Sequence, residues 1–165
     1  MNVIIKINEI MNYKLITKNL IESEAEIIFQ SCNTKNVFGG GIAKEIKVKI
    51  PEAWDADCLA ARDKVNILGN ISVSDKNDVY NKIVINCYGQ PLCSNGKRQT
   101  NYEALYNSIE KGKEWIYDNY DQLPIIGFPY LIGCGLGGGR WEIVNQLINV
   151  IFEDYKNDIL ICKLN

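Results

Sequence analysis

The chain has 165 residues, 47% of them apolar, enough for the core of one compact domain and little more. Its 18 basic and 20 acidic side chains leave a net charge of −2, so nothing supplies the broad basic face that binding a nucleic-acid backbone needs. Apolar runs such as residues 125–128 and 159–162 fall far short of the ~20 residues that cross a bilayer, and the first ten residues carry Lys6 and Glu9 without a signal-peptide core, so the expected location is the cytosol and no membrane partner is expected.

Along the chain, residues 3–7 and 13–17 read as strands, the first an extra edge strand or appendage if translation starts at Met11, and residues 25–32 read as a third, more buried strand. After Gly41 the apolar residues Ile42, Ala43, Ile46 and Ile50 fall at helical spacing, Glu45 pairs with Lys49 one turn on, and Pro51 ends the run. A second helix is expected over residues 53–64. Gly69 and Asn70 open a strand at residues 71–74, residues 75–78 turn, and residues 79–86 return as the second strand of a hairpin.

A polar connection over residues 89–99 leads to a helix. Thr100 with Glu103 has the spacing of its capping box, and its apolar face is Tyr102, Leu105, Tyr106, Ile109, Ile116, Tyr117 and Tyr120. Residues 123–132 read as a strand interrupted by Gly127 and Pro129. The stripe Val144, Leu147, Ile148, Ile151, Phe152 and Tyr155 marks the last helix, and residues 158–164 close the chain as a strand. This alternation predicts helices on both faces of a mixed, largely parallel sheet, with ligands at the carboxyl ends of its strands.

Two glycine clusters about ninety residues apart occupy strand-to-helix junctions: Gly39, Gly40 and Gly41, and then Gly133, Gly135, Gly137, Gly138 and Gly139 with Cys134 and Leu136 among them. Bare main-chain N–H groups at a helix start suit an anion, and a diphosphate-bearing ligand is the natural reading. Neither cluster is a GxGxxG or a P-loop. The string SCNTKNVFGGGIAKEI from residue 31 resembles the first signature of the macro domain, an ADP-ribose-binding fold, and YLIGCGLGGGRW from residue 130 resembles the second. The likeness extends over nearly the whole chain, read as one domain. It is nearest the small branch of yeast and phages that processes ADP-ribose 1″-phosphate, and the related hydrolases that release ADP-ribose from carboxylate esters.

The resemblance implies a three-layer α/β/α fold. Asn33 would bond the distal ribose, Gly39, Gly40, Gly41 and Ile42 would line ribose and diphosphate, and Gly133, Cys134, Gly135, Leu136 and Gly137 would wrap the phosphates. Asn19 with Leu20 would stand at the adenine end, where many members carry Asp. Tyr130, just before the second loop, reads equally as packing on a ribose or base and as part of the core. An amide offers both donor and acceptor to vicinal hydroxyls.

Departures concern the chemistry. The place of a His often found three residues before the Asn is held by Gln30, which orients water but accepts no proton, and places that carry an Asp in related sequences are Gly137 and Arg140. The chain has no histidine at all, and its six cysteines include no CxxC pair, so they read as small buried residues and no metal or cofactor is expected. The leading reading is therefore a nucleotide-binding hydrolase acting at the distal ribose, with the ligand's own phosphate as the remaining base. The alternative is a silent macro domain that binds or sequesters ADP-ribose or a cyclic relative, as a viral counter to nucleotide signalling. A Rossmann-type cofactor domain ranks last, since no acidic residue stands at the required ~20 positions beyond the glycines outside a helical run. Oligomeric state is left open.

Overall fold

The computed structural model describes residues 12–92 and 96–165. The strand expected at residues 3–7 lies outside the described residues. The elements are β1 (Lys14–Thr17), β2 (Ile27–Asn33), α1 (Gly41–Lys49), α2 (Pro51–Arg62), β3 (Ile71–Val73), β4 (Ile83–Gln90), α3 (Tyr102–Asn119), β5 (Ile126–Pro129), α4 (Trp141–Ile151) and β6 (Ile159–Lys163). They form one six-stranded sheet in the order β1-β6-β5-β2-β4-β3, parallel except for the antiparallel pairing of β3 with β4.

Alternation along β2 divides the apolar residues between two cores. Ile27 and Phe29 face α3 and α4, meeting Leu105, Ile109, Val144 and Ile148, while Ile28 and Cys32 face α1 and α2, meeting Ile46, Ala53 and Ala60. The result is the expected α/β/α sandwich. Phe29 stacks on Phe128 at 4.6 Å with Phe152 edge-on to both, which fixes β2 and β5 as the floor of the molecule's centre.

Three local expectations are corrected. Pro51 does not simply stop a helix: it takes the first position of α2, where its missing N–H costs nothing, and Ile50 ends one helix and starts the next. The hairpin turn lies later than residues 75–78, because Asn77 and Lys82 exchange main-chain bonds, Asn77 Oδ1 accepts from the Tyr80 amide, and Asn81 takes a φ of 55°; β4 therefore starts at Ile83, not at Val79. The cap of α3 is Asn101, whose side chain accepts from the Ala104 amide at 2.9 Å. Thr100 instead donates its hydroxyl to the Gly133 carbonyl at 2.6 Å, tying the helix start to the second glycine loop. An Asn101→Ala variant should lose about 1 kcal/mol of stability in urea denaturation; an unchanged midpoint would return the cap to Thr100.

Candidate functional site

The carboxyl ends of the parallel strands open into one cleft of about 640 Å³. Its walls follow the strand order: Lys18, Asn19 and Leu20 after β1, Lys163 and Leu164 at the end of β6, Tyr130 to Gly133 and Gly135 to Gly137 after β5, Asn33 and Val37 to Ile42 at the end of β2, and Gln90 at the end of β4. The two glycine loops therefore face each other. They also touch, since a methyl placed on Gly40 would stand 2.7 Å from Leu136 Cδ1.

Local backbone rules explain why glycine is needed at specific positions. Gly41 begins α1 at φ 55° with open space where a side chain would project, and Gly133 turns at φ 70°. A Cβ on Gly137 would meet Thr100, would come 2.6 Å from Gln90 Oε1 and 2.8 Å from the Gly133 carbonyl oxygen. Gly137 O accepts from the amides of Gln99 and Thr100, which pins the loop to the start of α3. Among the described residues the amides of Gly133, Gly135, Leu136 and Gly137 donate to no main-chain carbonyl. The first-turn amides of α1 are likewise unspent by helix geometry. Both loops thus present donors to the same space.

Asn33 is nearly buried at the cleft wall, its Nδ2 donating to Val37 O at 2.8 Å and its Oδ1 accepting from the Lys35 amide at 3.0 Å. Each amide atom retains a second bonding position for a ligand hydroxyl. Asn19 lines the opposite end; its Oδ1 accepts from the Ile21 amide and its Nδ2 donates to Glu45 Oε1 at 2.8 Å, leaving each atom one further position, as at Asn33. The sequence reading missed Glu45, which α1 carries into the cleft. Its i,i+4 pairing with Lys49 was legible, but its approach to the loop after β1 was not. Burial alone would raise the Glu45 pKa; hydrogen bonds from Lys49 and Asn19 outweigh it and hold the carboxyl below its ordinary value.

Two expected site residues are not brought to the cleft. Gln30 lies deeper in β2 than Asn33, is fully buried, and donates from Nε2 to Asn86 Oδ1 at 2.7 Å, so it does not line the cleft. Cys134 turns inward against the core of α3 and α4, its Sγ on the Ile132 carbonyl, and burial pushes its thiol up to about 11. Leu20, Gly39, Gly40, Gly41, Ile42, Tyr130, Gly133, Gly135, Leu136 and Gly137 all line the cleft, with the Tyr130 ring packed edge-on against Trp141 at 5.2 Å. At the end of β4, Gln90 lines the cleft, while Tyr88 is buried toward α2. Lys35 is exposed and Arg140 pairs loosely with Glu142, and neither lines it.

Charge is unevenly placed. The charged side chains of the described lining are Lys18, Glu45 and Lys163, all at the β1 and β6 end. The end near β2 and β4 is built of Ser31, Asn33, Val37, Gln90 and glycine backbone, and Cys32 beside it is a fully buried thiol whose pKa burial raises. Among the described residues no side chain there is placed to take a proton at neutral pH.

A macro domain family model matches residues 30–148. The chain belongs to the macro domain family. A phage T4 protein of 17.5 kDa is 27% identical over 128 residues, 77% of this chain and 80% of that protein. A DNA ADP-ribosyl transferase-DNA ADP-ribosyl glycohydrolase fusion protein of Thermosipho africanus is 26% identical over 148 residues, 83% of this chain, which spans only 38% of that protein. Among solved structures, the macrodomain of Thermus aquaticus DarG superposes with a TM-score of 0.75 at 21% identity, covering 93% of this chain and 97% of that one. Thermosipho africanus DarTG in complex with ADP-ribose superposes at 0.74 and 21% identity, covering 92% of this chain and 41% of that one.

Gly137 gives the site its sharpest steric test. Gly137→Ala must displace Thr100, Gln90 or the Gly133 carbonyl, an overpacking cost of about 1–3 kcal/mol. Thermal melting should fall by several degrees, whereas an unchanged melting temperature would show the loop to be less tightly seated than described.

Proposed function

We propose that this macro domain binds an ADP-ribose-type nucleotide across the cleft, with the diphosphate on the main chain of Gly39, Gly40, Gly41 and Ile42 and of Gly133, Gly135, Leu136 and Gly137. The observation that carries this reading is the pair of glycine loops lining one cleft with unspent amides on both sides. Each such donor gains when an anion replaces the water it would otherwise hold, and phosphate oxygens supply charge-assisted acceptors. Asn33 meets the hydroxyls of the distal ribose at the end near β4. The adenine lies at the β1 end among Leu20, Ile42 and Tyr130, where Glu45 and the remaining lone pair of Asn19 Oδ1 accept from its amino group. The Thermosipho africanus DarTG structure, which is in complex with ADP-ribose and shares this fold over 41% of its length, supports the ligand class.

The reading that fits the distal end best is recognition, because nothing there among the described residues removes a proton. Hydrolysis of a phosphate or ester at the distal ribose is the second reading, and the glycohydrolase named in the Thermosipho relative favours it. It requires the ligand's own phosphate to act as base.

Calorimetric titration with ADP-ribose and NAD tests the binding reading. ADP-ribose should bind at least ten-fold tighter than NAD, and Asn33→Ala should weaken it about ten-fold, in line with ~1–2 kcal/mol for lost hydrogen bonds to a sugar. Equal binding of the two nucleotides would contradict it. Incubation with ADP-ribose 1″-phosphate and with an ADP-ribosylated carboxylate separates the two readings: recognition gives no release of phosphate or ADP-ribose, hydrolysis gives release that Asn33→Ala removes.

A further inference from the structure

The buried carboxylate of Asp57 is unexplained by packing. Asp57 sits in the middle of α2, fully buried, where an ionisable side chain is costly unless its oxygens are met by donors. Both are met: Tyr88 donates its hydroxyl to Oδ1 at 2.6 Å and Asn36 donates from Nδ2 to Oδ2 at 2.7 Å. Tyr88 is itself fully buried, and burial together with the neighbouring Asp57 raises its pKa far above the ordinary value, so its hydroxyl stays a donor. Its oxygen also stands 2.9 Å from Ser72 Oγ, which accepts from Asn86, which accepts in turn from Gln30. A chain of hydrogen bonds thus runs from the core of the sheet to Asp57 and ends at Asn36.

Asn36 is part of the loop that joins Asn33 to the first glycine cluster, and it stands at φ 56°, a left-handed conformation that Asn tolerates and most residues do not. Around it the loop is held on both sides. Asn66 donates to Thr34 O at 3.1 Å, and Phe38 packs edge-on against Trp54 of α2 at 5.1 Å. The Asn36 tether is the contact that joins the loop to a buried, immobile acceptor.

We propose that Asp57 is a positioning residue for the cleft: through Asn36 it fixes the loop between Asn33 and Gly39, so that Asn33 and the amides of Gly39, Gly40 and Gly41 stand ready for the ligand before it arrives. A loop held in its bound shape spares the ligand the ordering cost of fixing it. The inference rests on the reading that the cleft takes an ADP-ribose-type nucleotide, but the loop's order is measurable without one.

Hydrogen exchange of residues 34–40 in the ligand-free protein, with ADP-ribose affinity by calorimetry, tests it. Asp57→Asn leaves one acceptor oxygen where two donors, Asn36 Nδ2 and the Tyr88 hydroxyl, each had one, so both bonds can no longer stand as they do. It should speed exchange of residues 34–40 about ten-fold and weaken ADP-ribose about ten-fold, leaving exchange in β5 and β6 unchanged. The reciprocal variant Asp57→Asn/Asn36→Asp restores a donor and an acceptor across the same gap and should recover affinity to within about three-fold of wild type. A purely structural role for Asp57 would give no such recovery. Should Asp57→Asn fail to fold, Asn36→Gly cuts the tether without backbone strain and should show the same local exchange and affinity loss, with a lower melting temperature because Asp57 Oδ2 loses its donor, but with exchange in β5 and β6 unchanged. Wild-type exchange and affinity in Asn36→Gly, or additive losses in the reciprocal variant, would overturn the proposal. Accelerated loop exchange in a protein whose wild type binds no ADP-ribose would keep the positioning role and sink the ligand reading instead.

Discussion

The structure depends on bringing two stretches of bare backbone to the same edge of a parallel sheet. Strands β2 and β5 are hydrogen-bonded neighbours, so the loops that leave them emerge side by side and pointing the same way. A parallel sheet with helices on both faces makes this unavoidable, and the cleft above such neighbours is where ligands of open α/β folds sit. Glycine then decides what the loops present. At Gly137 the space a side chain would fill is already taken by Thr100, Gln90 and the Gly133 carbonyl, and at Gly41 and Gly133 the backbone adopts a conformation that side chains disfavour.

The rest of the molecule holds these loops still. The second is pinned to α3 by the Thr100 hydroxyl on Gly133 O and by two amides on Gly137 O. The first is held to α2 by Asn36 on Asp57 and by Phe38 on Trp54. Neutral donors, fixed before the ligand arrives, suit a diphosphate without an excess of basic residues, which fits a chain of net charge −2. The uneven placement of charge along the cleft points the same way: charged side chains stand at the β1 end, while the distal end is amide, hydroxyl and backbone. Among the described residues, the cleft offers many main-chain donors to an anion and, at its β4 end, amide, hydroxyl and apolar side chains.

Much of the fold was legible because it rests on local signals. Apolar stripes and glycine junctions located all four helices, and the alternation of strands and helices gave the parallel sheet and its three layers. What escaped the sequence depended on neighbours distant along the chain. Thr100 has the look of a cap, but the Gly133 carbonyl draws its hydroxyl away and Asn101 takes the role. Gln30 stands three residues before Asn33, deeper in β2, where it is fully buried and bonded to Asn86, so its depth along the strand keeps it from a cleft that Ser31, Cys32 and Asn33 line. Cys134 sits in the right loop but turns to the core. Glu45 lines the cleft and meets Asn19, 26 residues away, while Asp57 reaches it only through Asn36, 21 residues away, and no motif records either contact.

The most direct measurement of the central idea is an amide-resolved NMR titration of the protein with ADP-ribose. If both loops hold one diphosphate, the amides of residues 39–42 and of residues 133–137 shift together, saturating at the same ligand concentration. Shifts confined to one loop, or to neither, would contradict it.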